Sequence, residues 1–348
     1  METPRRLTRQ RIAGTGLLAA VLALTAAMAV AGCGGDDSAT GASSGSGGSV
    51  DVVGYSTPES VYEEALEPAF EETSQGAGVS FSNSFGASGD QSRAVEAGQP
   101  AALVHFSQGG DMERLVESGQ VAPDWNKNRY KGIGQDSVVV IVVRKGNPEG
   151  IKSFDDLLEK DVDVITPNPF SSGSARWNIM AIYGTELNEG RSSAEALAAV
   201  KTLLEKTVVQ PGSGRDALAA FTQGEGDVLL SYENEAIKAE EEGEDVEYVI
   251  PPSTLKIETP IAVTKDAPAA AKAFLEFIWS DEGQEIWAEN GYRPVNQALV
   301  DPKQFPTPKD LFTIDQFGGW GKVNDEFFDD TTGRVAKIEK ELGVSTSG

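Results

Sequence analysis

The chain is poor in the residues that most often do chemistry. It has one cysteine and one histidine in 348 residues. One cysteine excludes an intramolecular disulfide. One cysteine with one histidine cannot supply a Cys/His ligand set, which argues against a transition-metal site. Positive charge is also scarce: 29 Lys and Arg stand against 54 Asp and Glu, a formal net charge of −25. That balance excludes the basic footprint that nucleic-acid binding needs. It also opposes long-range attraction of an anion, so short-range donors would have to hold one. From Val50 onward there is no Gly-x-Ser-x-Gly elbow and no phosphate-loop lysine. Serine hydrolysis needs a base beside the nucleophile. His105 lies in an apolar run and reads as a packed strand residue rather than that base.

What is present starts with the N-terminus. Arg5, Arg6, Arg9 and Arg11 precede an apolar, Ala-rich run from Ile12 to Val30. A basic head, an apolar core and small residues at the end describe a signal peptide over 1–32. The competing reading is one membrane-spanning helix, since the run is nearly long enough. Val30-Ala31-Gly32-Cys33 resembles a bacterial lipobox, which implies cleavage before Cys33 and a lipid on it. Residues 33–49, rich in Gly, Ser and Ala, then read as the lipidated cysteine and a flexible tether. Removing 1–32 takes away four arginines and one glutamate, so the mature chain is more acidic still.

From Val50 strands and helices alternate. Val50–Tyr55, Val79–Ser84 and Ala102–Phe106 read as strands, each followed by a helix. Ser88 with Gln91 fits a capping box. The run Val138-Val139-Val140-Ile141-Val142-Val143 is too short for a membrane span and suits a central strand. Val162–Thr166 reads as a buried strand, and Trp177–Tyr183 as a helix ended by Gly184. A helix from Ser192 to Glu205, another after Gly214 and a strand Asp227–Tyr232 follow. Ile257–Thr264 reads as a strand returning to the first part of the chain. Glu240-Glu241-Glu242 reads as a solvated helix end. This order predicts α/β architecture with parallel sheets flanked by helices.

Four strand-to-helix junctions carry small residues: Ser56-Thr57, Ser88-Gly89, Ser172-Gly173-Ser174 and Ser213-Gly214. The first amides of a helix have no partner within it and lie at the positive end of its dipole. In open α/β sheets such junctions sit at the carboxyl ends of strands, where ligands bind. Ordinary capped helices carry the same residues, so one such junction means little. Several aimed at one point would hold an anion without a cationic side chain. Arg176 and Arg215, early in their helices, read as partners of loop carbonyls or of carboxylates such as Asp216.

Several motifs carry a family likeness in order and spacing. They are Ser84-Phe85-Gly86-Ala87-Ser88-Gly89-Asp90-Gln91-Ser92-Arg93, Arg144–Lys152, Asn168–Trp177, Gly226–Ala236, Glu282–Ile286, Tyr292-Arg293-Pro294 and Phe312–Trp320. The chain resembles the sulfate- and thiosulfate-binding subunits of bacterial ABC importers. The resemblance implies a two-lobed, periplasmic-binding-protein-like type II fold with a hinge, each lobe a mostly parallel sheet flanked by helices. Lobe one would be 50–140 with 257–348, and lobe two 141–256. It implies a monomer outside the cytoplasm, anchored through lipid on Cys33, that gives sulfate to a permease with its ATPase subunits. It implies no catalysis, cofactor or metal. Carried over by position, the anion ligands would be Ser56, Ser88, Ser172, Gly173, Ser174, Gly214 and Tyr232, with hydroxyls contributed by Ser88 and Ser172. Tyr232 stands where the family usually has a tryptophan, and Ser56 where it commonly has an aspartate. An indole only donates, whereas a phenol donates and accepts, so phosphate, thiosulfate and molybdate stay open beside sulfate. A hydrolase and a surface lipoprotein without a small ligand are the readings from other classes.

Overall fold

The computed structural model describes residues 48–346. The expected signal peptide, Cys33 and nearly all of the tether lie outside the described residues. Ten strands are described: β1 (Ser49–Tyr55), β2 (Ser80–Gly86), β3 (Leu103–His105), β4 (Ile133–Arg144), β5 (Val164–Ile165), β6 (Thr207–Val209), β7 (Val228–Tyr232), β8 (Val246–Val249), β9 (Ser253–Val263) and β10 (Asp310–Phe312). No helix among the described residues is long and apolar enough to cross a membrane.

The strand order is β2-β1-β3-β9-β4-β7-β5-β6, with β10 on β9 and β8 on β4. β1 pairs in parallel with β2 and β3, and β5 pairs in parallel with β6 and β7. Two long strands join these parallel groups. β9 is antiparallel to β3 at one end, through Ile261 and His105, and antiparallel to β4 in its middle. β4 leaves β9 after Val138 and continues against β7. Ile257–Thr264 does return to the first part of the chain, as its sequence suggests.

The apolar run in β4 is buried on both faces because two cores share it. Val139, Ile141 and Val143 face one core with Val164, Trp177 and Ile182. Val138, Val140 and Val142 face the other with Phe221 and Leu229. This is period-two alternation in a strand covered on both sides. A separate core joins β1 and β3 to Tyr62, Leu66, Phe70, Phe274 and Trp287. Val53, Val104, Phe106, Met112 and Leu115 fill the opposite face of that sheet. Burying each such side chain stabilises the fold by about 1.5–3 kcal/mol.

Three features differ from the sequence reading. The helix that was to stop at Gly184 runs from Gly173 to Asn188. Its missing Cβ makes room for Phe312, whose Cε2 would lie 2.3 Å from a Cβ built there. The glycine is a packing site inside the helix, not a terminus. Second, Ser88 and Gln91 make no capping box: Ala87 is the N-cap of helix Ser88–Glu96, and Gln91 Oε1 accepts from Ser84 Oγ. Third, the tail, expected with the first part of the chain, does not pack into the core of β1 and β3. Phe312, Trp320, Val323, Phe327 and Ile338 pack into the core around Trp177, with the Trp177 and Trp320 rings 4.6 Å apart and edge to face.

Candidate functional site

β1, β2 and β3 run the same way, and so do β5 and β6. Each ends in a small-residue junction that starts a helical segment. Ser56-Thr57 follows β1, Ser88 follows β2, Ser172-Gly173-Ser174 follows β5, and Ser213-Gly214 follows β6. The structure brings all four junctions to one cavity. A fifth joins them: Ser107, between β3 and helix Gly109–Glu117. Tyr55, Gly86 and Ala87 complete the wall. The space is small, about 10 Å³ open to the centre of a water-sized sphere. A drug-sized pocket has roughly 300–1,000 Å³, so this one suits a single small solute.

The wall is polar but uncharged. No Lys, Arg, His, Asp or Glu lines it. Its serines are all less than one-tenth exposed. The donors are of two kinds. Ser88, Gly173, Ser174 and Gly214 are first-turn residues whose amides have no acceptor within their own helices. The side chains of Ser56, Thr57, Ser107, Ser172 and Ser174 add hydroxyls. Such a set favours negative charge through dipoles aimed at one point.

Glycine is needed where the walls come closest. A Cβ built on Gly173 would lie 2.5 Å from Ser107 Oγ and 2.7 Å from Ser107 Cβ. Only a bare Cα lets the start of helix Gly173–Asn188 approach the β3 junction. One built on Gly214 would lie 3.1 Å from Ser174 Oγ, in a tight but less severe contact.

The hydrogen bonds show which protons are free. Ser172 Oγ and Ser174 Oγ are 2.9 Å apart and share one. Ser172 is the N-cap of its helix, yet its side chain makes no capping bond. Ser213 is a true cap: its Oγ accepts from Asp216 N at 3.1 Å and donates to Asp216 Oδ2 at 2.7 Å. Ser88 Oγ donates to Asp111 Oδ2 at 2.7 Å and accepts from Ser107 N at 2.9 Å. The expected Ser88 hydroxyl donor is therefore spent, because a buried carboxylate takes its proton; the amide of Ser88 has no acceptor within its own helix. Tyr232 is placed one layer back. It does not line the cavity, and its hydroxyl lies 2.6 Å from Ser107 Oγ. Burial pushes the Tyr232 phenol well above its usual ionisation range, so it keeps its proton.

Cations stand behind the wall and tie its two sides together. Arg215 Nη2 donates to Thr57 O at 2.7 Å and lies 3.7 Å from Glu235. Its carboxylate partner is thus Glu235 and not Asp216, which Ser213 occupies. Burial pushes Glu235 up to about 7, against the pull of Arg215 and Lys238. Lys238 Nζ donates to Ser60 Oγ at 2.6 Å, and Gly89 N donates to Ser171 O at 3.1 Å. Arg176 Nε donates to Pro169 O at 2.7 Å, and its Nη1 to Asn324 Oδ1 at 2.9 Å.

His105 is fully buried and is not in the cavity wall. Its Nδ1 lies 2.9 Å from Tyr62 Oη, and its Nε2 lies 3.2 Å from Thr259 Oγ1. Thr259 Oγ1 donates to Gln135 O at 2.9 Å, so it accepts from the imidazole. Nε2 then carries the proton and Nδ1 accepts from Tyr62. No serine of the wall is among its hydrogen-bond partners. The acidic trio Asp155, Glu186 and Glu189 surrounds Arg191, with the closest contact 2.6 Å from Arg191 Nε to Glu186.

Ser107 was missed in the sequence although the signal was there. Phe106-Ser107-Gln108-Gly109 repeats the strand, small residue, helix pattern of the other four junctions.

Comparison with known proteins agrees with this architecture. Residues 50–293 match the family model described as bacterial extracellular solute-binding protein. A sulfate-binding protein of Synechococcus elongatus is 35% identical, with 90% of this chain and 93% of that protein covered. A thiosulfate-binding protein of Pseudomonas aeruginosa is 33% identical, covering 80% of this chain and 88% of that one. The solved structure of the sulfate-binding protein SubI from Mycobacterium tuberculosis H37Rv superposes with a TM-score of 0.78 at 46% identity, covering 81% of this chain and 99% of that one.

Proposed function

This chain belongs to the bacterial extracellular solute-binding proteins, in the group of sulfate- and thiosulfate-binding members, and we propose that it captures sulfate between two lobes and hands it to an ABC permease. A solute-binding protein catalyses nothing; it selects, encloses and delivers. One observation carries the sulfate reading. Five strand-to-helix junctions meet at a cavity sized for one small solute, and its wall holds donors but no charged side chain. A carrier with a formal charge of −25 repels anions at long range. Amides and hydroxyls at contact distance overcome this because they lie in a buried site of low effective dielectric, where each is stronger than in water.

The donors come from both sides of the cleft. Ser56, Ser88 and Ser107 belong to the first part of the chain; Ser172, Gly173, Ser174 and Gly214 belong to the middle. An anion seated between them links the two, and Arg215, Lys238 and Gly89 then bridge the closed form. Lobe one takes in 50–140 and the returning segment from 257, lobe two takes in 141–256, and β4 and β9 are the hinge strands. The tail beyond Asp310 packs with lobe two. Outside the cytoplasm the protein is held to the membrane as a monomer by lipid on Cys33, after removal of residues 1–32.

Thiosulfate, phosphate and molybdate are the competitors to exclude. Thermal unfolding of the protein with each anion tests the reading. A ligand at about 100 times its dissociation constant stabilises the native state by about 2.7 kcal/mol. Sulfate should raise Tm at micromolar concentrations, with phosphate needing far more. No shift with any of the four would end the proposal.

A further inference from the structure

Resting on the sulfate reading above, we propose that Ser107 is itself a ligand contact and that Tyr232 acts through it, as the positioning residue that aims the Ser107 hydroxyl proton into the cavity.

Ser107 is held from three directions. Its amide donates to Ser88 Oγ at 2.9 Å, its carbonyl accepts from Trp177 Nε1 at 2.7 Å, and its Oγ lies 2.6 Å from Tyr232 Oη. It is buried, with 1% of its surface exposed, yet it lines the cavity. Its Oγ sits against the first residue of helix Gly173–Asn188, where a Cβ on Gly173 would come within 2.5 Å. Trp177 and Tyr232 both come from the middle of the chain, whereas Ser107 follows β3. The contact that aims this hydroxyl therefore forms across the cleft.

Counting protons sets the direction. Tyr232 is buried, and Ser107 Oγ is the sole hydrogen-bond partner of its hydroxyl among the described residues. A buried phenol proton needs an acceptor. Were Ser107 the donor, the Tyr232 proton would have none. Tyr232 therefore donates and Ser107 accepts. The Ser107 proton remains, and no carbonyl or carboxylate among the described residues takes it. It points to the ligand. A protonated ligand oxygen placed here would add a third proton without adding an acceptor, so the position favours a bare oxyanion over one that carries hydrogen. The phenol supplies by relay what a single indole N–H would supply directly.

Calorimetric titration with sulfate and with inorganic phosphate near pH 7 tests this, using the wild type, Ser107→Ala, Tyr232→Phe and the double variant. Ser107→Ala should weaken sulfate about tenfold or more and phosphate less, so the ratio of the two affinities falls. Tyr232→Phe should weaken sulfate several-fold when Ser107 is present and not at all in the Ser107→Ala background. Ser107→Thr, which keeps the hydroxyl, should restore most of the loss. Equal costs of Tyr232→Phe in both backgrounds would mean that the phenol touches the ligand itself, and the relay would be wrong. Unchanged sulfate affinity in Ser107→Ala, with wild-type binding intact, would remove Ser107 from the site while leaving the sulfate reading in place. A wild type that binds neither anion would overturn both.

Discussion

Ser88 Oγ gives its proton to Asp111 Oδ2 at 2.7 Å, and the same oxygen accepts from Ser107 N at 2.9 Å. The side chain is thus a strut between two junctions, and on the sulfate reading it is the Ser88 amide that donates to the anion. Removing the hydroxyl leaves a buried carboxylate and a buried amide short of a partner, which costs about 1–3 kcal/mol. Ser88→Ala should lower the unfolding free energy by about that much in urea titrations, while sulfate affinity measured by calorimetry changes by less than about threefold. A large affinity loss with unchanged stability would mean that the hydroxyl does reach the ligand.

Gly173 separates stability from affinity in the opposite sense. A Cβ there would press on Ser107 Oγ at 2.5 Å, and that contact exists across the cleft. Overpacking of this kind costs about 1–3 kcal/mol. If the lobes can part, the strain falls on closure and not on folding. Gly173→Ala should keep the ligand-free melting temperature and weaken sulfate roughly 5- to 150-fold. In saturating sulfate, small-angle scattering should show a wider particle than the wild type. Wild-type affinity in this variant would mean that the approach of Ser107 to Gly173 plays no part in binding.

The elements legible in the sequence are those set by local rules. β4 announces itself through six consecutive apolar residues, and the junctions at Ser56, Ser88, Ser172 and Ser213 through small residues between a strand and a helix. What was not legible depends on partners far along the chain. Gly184 resembles a helix terminus until Phe312 is seen to fill its missing side chain. Nothing near Ser88 says that Asp111 will take its proton, and nothing near Tyr232 says that Ser107 will stand between it and the cavity. The tail beyond Asp310 carries aromatic residues that would suit either core. Contacts such as Trp320 against Trp177 and Phe327 against Tyr183 assign it. Residue type and junction position thus located most of the cavity wall, whereas the direction of each proton required the folded chain.

His105 predicts a pH dependence. Burial pushes its imidazole down to about 3 from an unfolded value near 6.5. Protonation would also set an Nδ1–H against the Tyr62 hydroxyl that donates to it. Between pH 6.5 and 3 the unfolded chain binds the proton and the native chain does not, so this residue makes stability fall as pH falls. The slope is about 1.4 kcal/mol per pH unit within that window. Glu67 and Glu235, both pushed up to about 7 by burial, act in the opposite direction: the native chain binds their protons first, so they cost stability as pH rises from about 4.5 towards 7. Comparing wild type with His105→Gln isolates the histidine. The variant should be less stable at pH 7, having lost ring packing, and the gap should narrow or reverse by pH 4 in urea titrations. A gap that stays constant across this range would mean that His105 is protonated in the native state as easily as in the unfolded chain.

Ser172 and Ser174 act as a pair, and the pairing has a measurable consequence. Their oxygens are 2.9 Å apart, so one hydroxyl proton closes the bond between them and, on the sulfate reading, the other is left for the ligand. The Ser172 amide is already taken, since it donates to Asn168 O at 2.9 Å. On the sulfate reading its side chain is therefore its main route to the anion. Truncating either serine frees the proton of the other, and the site keeps one hydroxyl donor at a shifted position. Truncating both removes it. A hydrogen bond to a charged group contributes about 1.5–3 kcal/mol, roughly 10- to 150-fold in affinity. Ser172→Ala and Ser174→Ala should each weaken sulfate several-fold. The double variant should lose more than the two single losses combined, in calorimetric titrations at fixed ionic strength. Strict additivity would mean that each hydroxyl meets the anion independently. Ser172 and Ser174 would then be two donors, not one donor held by its neighbour.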